Sequence, residues 1–458
     1  MPGSTTSTGR DALFAVVAET VFGDGGSTAY AAADDFVDCS GWAVTPQTPG
    51  GPRDDATGYT AHLGDIKGKK TVEWTLSPTY LKPNANGTDP DWHVLLTKNG
   101  FTGGSWSASD AVEAGSTTTV INATGHSYSV DDFVRINGEI RRVSATATDS
   151  FTITPALTAT PSATDAISPC KAYSINEDRD TVPDSVALWL IDNNRTVRIR
   201  GAMATSLSIT GSDPAGLKFG LQGQARRADI IPSAFLDGSI NNVVTTVDLL
   251  PGHGIPSDVS ATDLLYLQVG TEVLKVLSIS SDSLTVDTRG VYLGGGAAAS
   301  HSDGAEVYVY HYTPSTAGNI VDSTAGDAII AGSPVKSVTA CSATIELGVE
   351  PWANEHGDAY EVHGYNVNKV EPTIAMDALV RRGEALDLMA RAQNRTATEV
   401  LWQQGTASGG AVALYMQAAY LEVPAQSIDA GEATATLSLS FAGVMAAAGD
   451  SPIFLVVS

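Results

Sequence analysis

Between Thr71 and Leu76 the chain alternates without a break, with Val72, Trp74 and Leu76 on one side and Thr71, Glu73 and Thr75 on the other. A period of two fits a β-strand with one face buried and one face wet, and such a strand needs antiparallel neighbours that alternate in the same way. The same alternation returns near the end, where Ala435, Leu437, Leu439 and Phe441 interleave with Thr434, Thr436, Ser438 and Ser440. The 71–76 strand is entered through Lys67, Gly68, Lys69 and Lys70. It is left through Ser77–Asp89, which holds Pro78, Pro83, Asn84, Asn86 and Gly87. These are residues of a built turn region, and a long ordered loop on a strand usually makes contacts outside its own sheet.

The sequence has 458 residues, enough for several domains or for one core carrying insertions. Its 45 glycines, its frequent turn clusters and the Val, Thr, Ile and Ser of its periodic segments make it mainly β. Lys and Arg number 26 against 51 Asp and Glu, a formal charge of −25. That charge argues against a protein that grips nucleic acid by its phosphates, although not against a surface that DNA slides past; it also keeps a protein soluble. Cys39, Cys170 and Cys341 are far apart and odd in number, so neither a disulfide framework nor a thiolate metal site is expected. The polar N-terminus has no apolar signal core, and no apolar run is long enough to span a bilayer. Synthesis in a cytoplasm and no membrane association are the expectation.

One pattern occurs twice. Thr117–Val120, Gly125-His126, Asp132–Val143 with Asn137-Gly138 at its centre, Ser150–Thr154 and Asp165–Ile167 follow in the same order as Val244–Val247, Gly252-His253, Leu264–Val276 with Gly270 at its centre, Ser283–Val286 and Gly304–Val307. Asn-Gly is a strong hairpin turn. Residues 111–171 and 236–313 therefore read as two copies of a small β-barrel-like module, each roughly 60 residues, a size at which a domain can fold. His126 and His253 hold equivalent places, which suggests a repeated structural role in a turn. The remaining segments, 1–110, 172–235 and 314–458, read as one β core interrupted twice. Within it Val186–Ile191 pairs with Thr196–Arg200, and Ala204–Thr210 with Leu217–Gln224. Glu384–Gln393 is the best helix.

Several core segments carry a resemblance. The turn Gly68-Lys69-Lys70 leads into Glu73-Trp74. Tyr80-Leu81-x-Pro83-Asn84 follows, then Pro90-Asp91-x-x-x-Leu95-Leu96, a strand containing Ser206-Leu207, Phe219-x-x-x-Gly223, and Pro372-Thr373-Ile374. Together they resemble the major tail tube proteins of long-tailed bacteriophages over about two-thirds of the chain. The resemblance implies a tail-tube-type β-sandwich or barrel core with one flanking helix. It implies six subunits per ring, with sheets joined edge to edge around a channel, and rings stacked into a tail through which DNA passes without specific binding. The tail tip or baseplate, the tape measure protein and the tail terminator are the implied partners, and the virion is the implied location after synthesis in the bacterial cytoplasm. Glu73 is the candidate lumen carboxylate. The Ser77–Asp89 loop, with Tyr80, Asn84, Asn86 and Asp89, is expected to reach a neighbouring subunit or ring, where Lys67, Lys69 and Lys70 could meet acidic surface. The modules are expected on the outside, which would obstruct a contractile sheath and favours a flexible, siphovirus-type tail. The family also contains fused pairs of tube folds that form trimeric rings; a single fold with two inserts is expected here, because the repeated unit is small.

No catalytic constellation stands out: no Gly-x-Ser-x-Gly elbow, no phosphate-cradling loop and no His-Glu-x-x-His. The densest polar cluster, Glu355, His356, Asp358, Glu361 and His363, lacks a metal-ligand spacing. No enzyme activity, cofactor or metal is expected. The alternative reading is an extracellular β-rich adhesin or receptor-binding protein, which the repeated modules would fit. A hydrolase with carbohydrate-binding modules comes third and would need more aromatic residues.

Overall fold

The computed structural model describes residues 13–19, 22–23, 36–37, 39–47, 50–51, 66–67, 70–84, 87–175, 185–192, 195–212, 216–257, 259, 265–290, 295–310, 319–321, 325–335, 338–352, 362, 364–380, 382–424, 435–447 and 450–458. The protein is mainly β. Its alternating segments become antiparallel strands, as their period requires.

The core is one arrangement of strands built twice. The first copy uses Leu13–Ala18, Phe36–Val37, Trp42–Gln47, Thr71–Tyr80, Val186–Asp192, Arg195–Ser212, Gly216–Ala225 and Arg227–Pro232. The second uses Ala328–Ile330, Ser333–Pro334, Val338–Glu346, Glu371–Val380, Thr398–Gln404, Val412–Leu421, Ala435–Val444 and Phe454–Val457. In both copies the first strand pairs with the second and fifth, the third with the fourth, and the fourth with the seventh. In both, the sixth pairs with the fifth, seventh and eighth. A helix falls between the fourth and fifth strands each time, His93–Thr97 in the first copy and Arg382–Gln393 in the second. The expectation of a single core fold with one helix is thus corrected: there are two copies, each with its helix. His93–Thr97 is a single short turn without an amphipathic period of its own. Arg382–Gln393 buries Leu388 and Ala392 and leaves Leu386 outside, which is the one-sided stripe of a surface helix.

The copies are joined by one seam, where residues 206–212 of the first pair with residues 340–346 of the second. Four strands of each copy therefore lie in one continuous sheet. Its order is 42–47, 71–80, 216–225, 203–212, then 338–346, 371–380, 435–444 and 418–421. A cross-strand row of core residues runs Trp42, Leu76, Leu221, Leu207, Ile345. Its counterpart in the second copy begins Cys341, Met376, Leu439. The first row thus reaches the second copy at Ile345, four residues beyond Cys341, a stagger of one residue per strand.

The two modules have identical strand order. Module 1 places Asp110–Ala111, Ala166–Pro169, Phe133–Ile136, Glu139–Ala147, Ser150–Thr154 and Val120–Asn122 side by side; module 2 does the same with Ala234–Phe235, Glu306–Val309, Leu265–Val269, Glu272–Ser280, Ser283–Val286 and Thr246–Asp248. Each has a bulge at the same point of its longest strand, after Val143 and after Val276. The hairpin turn of module 1 uses Asn137 and Gly138, both at positive φ, as a tight hairpin of this hand demands.

Three layers follow from which side chains share a cluster. Leu188 and Leu190 face the main core together with Trp74, Leu76 and Leu221, whereas Trp189 and Ile191 of the same strand pack against Leu265, Leu267 and Val273 of module 2. In the second copy Val400 and Leu414 face the main core, while Leu401, Ala413 and Tyr415 pack against Phe133 and Ile140 of module 1. Each copy therefore carries one module on its outer sheet. The continuous sheet lies beyond the main core, on the opposite side.

Candidate functional site: an open polar sheet face

The continuous sheet buries one face, and among the described residues nothing covers the other. Leu76, Leu207, Leu221, Ile345, Ile374 and Leu439 point into the core, each at 1% exposure or less. Between them the outward positions are small or polar. One outward row runs Ala43, Thr75, Gln222, Ser206, Glu346, Glu371 and so crosses the seam between the copies. Another runs Lys218, Thr210, Ser342, Ala375, Ser440. Among the described residues of these eight strands the acids are Glu73, Glu346, Glu371 and Asp377, and the one base is Lys218.

Glu73 stands exposed on this face, where Gln47 Nε2 donates to its carboxylate at 3.4 Å. Glu346 and Glu371 sit directly opposite each other and are both exposed. Opposed like charges destabilise a strand pair, so the sheet carries a local cost here; Lys369 Nζ, 2.6 Å from Glu371, offsets part of it. Asp377 accepts from Ser438 Oγ at 2.6 Å. The single base is itself occupied, its ammonium lying 5.1 Å from the Tyr80 ring.

The strand expected to end at Leu76 runs on to Tyr80. A bulge opposite Phe219–Leu221 absorbs Ser77 and Pro78 and restores the pairing, with Thr79 opposite Phe219 and Tyr80 opposite Lys218. Tyr80 thus belongs to the open sheet face and not to a loop. The rest of the loop folds onto its own chain. Leu81 N–H donates to Leu217 O at 3.0 Å, and Trp92 Nε1 donates to Lys82 O at 3.2 Å. Asn84 is 5% exposed and donates to Asp89 O at 2.6 Å, which removes it from any surface a neighbour could touch. Asp89 accepts from Lys171 Nζ at 2.6 Å and from Trp106 Nε1 at 3.0 Å. Burial pushes its pKa up, but these two hydrogen bonds together with the charges of His93 and Lys171 outweigh burial and hold it below the usual carboxylate value. The burial of Asn84 corrects the expectation that it serves a contact between subunits, whereas Asp89 is bound within the chain and still exposed.

Lys70 is exposed at the start of the 71–80 strand. Lys67 lies in a two-residue strand paired with Gly50–Gly51, and its side chain, like Lys69 and Asn86, lies outside the described residues. So does most of the 355–363 cluster. Among the described residues no group of His, Cys, Asp or Glu could hold a metal ion. His126 and His253 do share one role. Each Nδ1 accepts a backbone N–H two residues on, from Tyr128 at 3.3 Å and from Ile255 at 3.0 Å. Each Nε2 reaches the carbonyl of the turn before the fifth module strand, Ala147 at 2.9 Å and Ser281 at 3.1 Å. These partners assign the proton to Nε2.

The seam and the acids beyond it carry no mark in the sequence that joins them to Glu73. Glu346, Glu371 and Asp377 alternate with Ile345, Pro372 and Met376, a usable signal, but their nearness to Glu73 depends on a pairing between segments more than 100 residues apart. Compared with known proteins, the chain matches no family model and no curated sequence.

Proposed function

We propose that the protein is a structural subunit of a bacteriophage tail tube, whose continuous sheet lines a channel for DNA. The observation that carries this reading is the open face itself. It spans both copies of the fold, is built of small and polar side chains with four carboxylates, and lies opposite the two modules. A channel wall needs such a face: among the described residues its outward side chains are mostly small, with Tyr80 the large one, and its negative charge repels phosphates instead of holding them. An overall charge of −25 supports the same sign at longer range.

The register also fits closure. A stagger of one residue per strand is the ratio found in the eight-stranded barrel of shear eight, where strands tilt by about 36°. Six copies of a four-stranded unit make a barrel of about 24 strands, and with strands about 4.8 Å apart its backbone diameter is roughly 45 Å. That is wide enough for a DNA duplex after side chains are allowed for. Because each chain carries two copies, three chains supply the six that the resemblance implies. Ring closure is cyclic, and stacking is head-to-tail and open-ended. The modules then lie on the outer surface of the tube.

The runner-up, a β-rich adhesin or receptor-binding protein, would use the modules and have no need of a bare acidic sheet face. Electron microscopy of the purified protein under assembly conditions separates the two. Rings or tubes with a central hole support the tube reading; a protein that never polymerises, even with tail-tip partners present, removes it.

A further inference from the structure

We infer that chains join through the edge strand Trp42–Gln47 of one copy and residues 422–424 of the next, in the register that Val338–Glu346 and Arg195–Ser212 already use inside the chain. The inference rests on the tube reading. Its ground is that the two ends of the continuous sheet are the counterparts of the two strands that meet at the internal seam.

The correspondence can be followed residue by residue. In the first copy Trp42, Leu76, Leu221 and Leu207 form a row. In the second, Cys341, Met376 and Leu439 form the same row. Glu422 N–H donates to Ser440 O at 2.9 Å, so the next residue, Val423, stands opposite Leu439. Val423 is therefore the counterpart of Leu207, and Pro46 is the counterpart of Ile345. Leu207 is 1% exposed because Ile345 covers it across the seam; Val423 is 59% exposed. Among the described residues 71–80 is the one strand that the 42–47 strand pairs with.

The backbone polarity matches as well. Leu347 N–H donates to Thr205 O at 2.8 Å across the seam, and antiparallel pairs alternate, so Leu207 and Ile345 turn their hydrogen-bonding groups toward each other. Ser77 N–H donates to Gly41 O at 2.9 Å, so Val44 and Pro46 turn theirs outward. By the same alternation Val423 turns its N–H away from Ser440 and toward the open edge. Pro46 has no N–H to give, but its carbonyl can accept from Val423. An open edge strand is an aggregation hazard that closure of the sheet removes. Proline at this edge leaves one bond fewer to any stray strand while keeping the partner that needs only its carbonyl.

The test uses the full chain. Opposed residues of a hydrogen-bonded antiparallel pair have Cα atoms about 5.5 Å apart, within disulfide reach. The double variant Pro46→Cys/Val423→Cys, assembled and then oxidised, should run on a non-reducing gel as covalent multimers that stop at three chains, and neither single variant should. Val423→Asp changes a residue exposed in the isolated chain, so it should melt as the parent does yet fail to form rings. Tubes that form without cross-linking, or a Val423→Asp chain that assembles like the parent, would overturn this joint and leave the tube function standing. A parent chain that forms no rings under any condition would remove both.

Discussion

Leu207 and Ile345 face each other across the seam between two copies of one fold. Both are buried to 1% exposure or less, and they continue one row of core residues that begins at Trp42 in the first copy. Their contact turns two four-stranded sheets into one, and it sets the stagger with which the sheet would close.

Truncating this contact should cost much more than truncating its counterpart at the open edge. Leu207→Ala removes a fully buried side chain and should lose about 2–5 kcal/mol in urea unfolding of the unassembled chain. Val423→Ala, already exposed, should change stability by no more than about 0.5 kcal/mol. Equal losses would mean that Val423 is covered within the single chain.

Reversing charge on the open face should leave folding intact and alter transport. Glu73→Lys together with Glu346→Lys places bases where the wall now carries acids. Tubes should still form, and DNA ejection from virions carrying the variant should slow, most of all at low ionic strength where screening is weak. Ejection kinetics equal to the parent's at low salt would take these two carboxylates out of that role.

The clamp at Asp89 should show in the pH dependence of stability. Its folded pKa is depressed: burial opposes this, and hydrogen bonds from Lys171 and Trp106 with the charges of His93 and Lys171 together outweigh burial. A depressed carboxylate contributes stability above its unfolded pKa and loses it as pH falls through the folded value. Lys171→Ala should therefore destabilise the protein at neutral pH, and the gap from the parent should close as the pH drops below the ordinary 3.8. A gap that persists unchanged in strong acid would assign the loss to packing of the Lys171 stem.

Module 2 should depend on one buried ion pair. Glu272 is fully buried and accepts from Nε at 2.8 Å and Nη2 at 2.6 Å along one side of the Arg289 guanidinium, with His301 Nε2 at 2.8 Å. Glu272→Ala strands the Arg289 charge and should cost about 3–5 kcal/mol. The loss should appear as faster hydrogen exchange across 265–286, with the strands of module 1 unaffected.

The sequence discloses part of this architecture and conceals the rest for physical reasons. The modules are legible because their turns demand particular residues: Asn137-Gly138, Gly270 and the paired histidines recur at matching places. The duplicated core is not, because strand pairing constrains only the alternation of apolar and polar. Trp42, Leu76, Leu221 and Leu207 fill one row; Cys341, Met376, Leu439 and Val423 fill its counterpart. Only the third place, Leu221 and Leu439, keeps the same residue type. Glu73 reads correctly as an outward carboxylate, since strand parity alone decides that. Asn84 and Asp89 do not read as structural, because a polar loop residue carries no mark of whether its partner belongs to the same chain. Lys171, which binds Asp89, follows a whole inserted module later.

The most direct test of the account is a cryo-EM reconstruction of the assembled protein that resolves individual strands. The account predicts rings of three chains with pseudo-sixfold symmetry, the sheet face of Glu73, Glu346, Glu371 and Asp377 toward the lumen, and all six modules outside. A ring with the modules toward the axis, or one whose lumen is lined by any other surface of the chain, would contradict it.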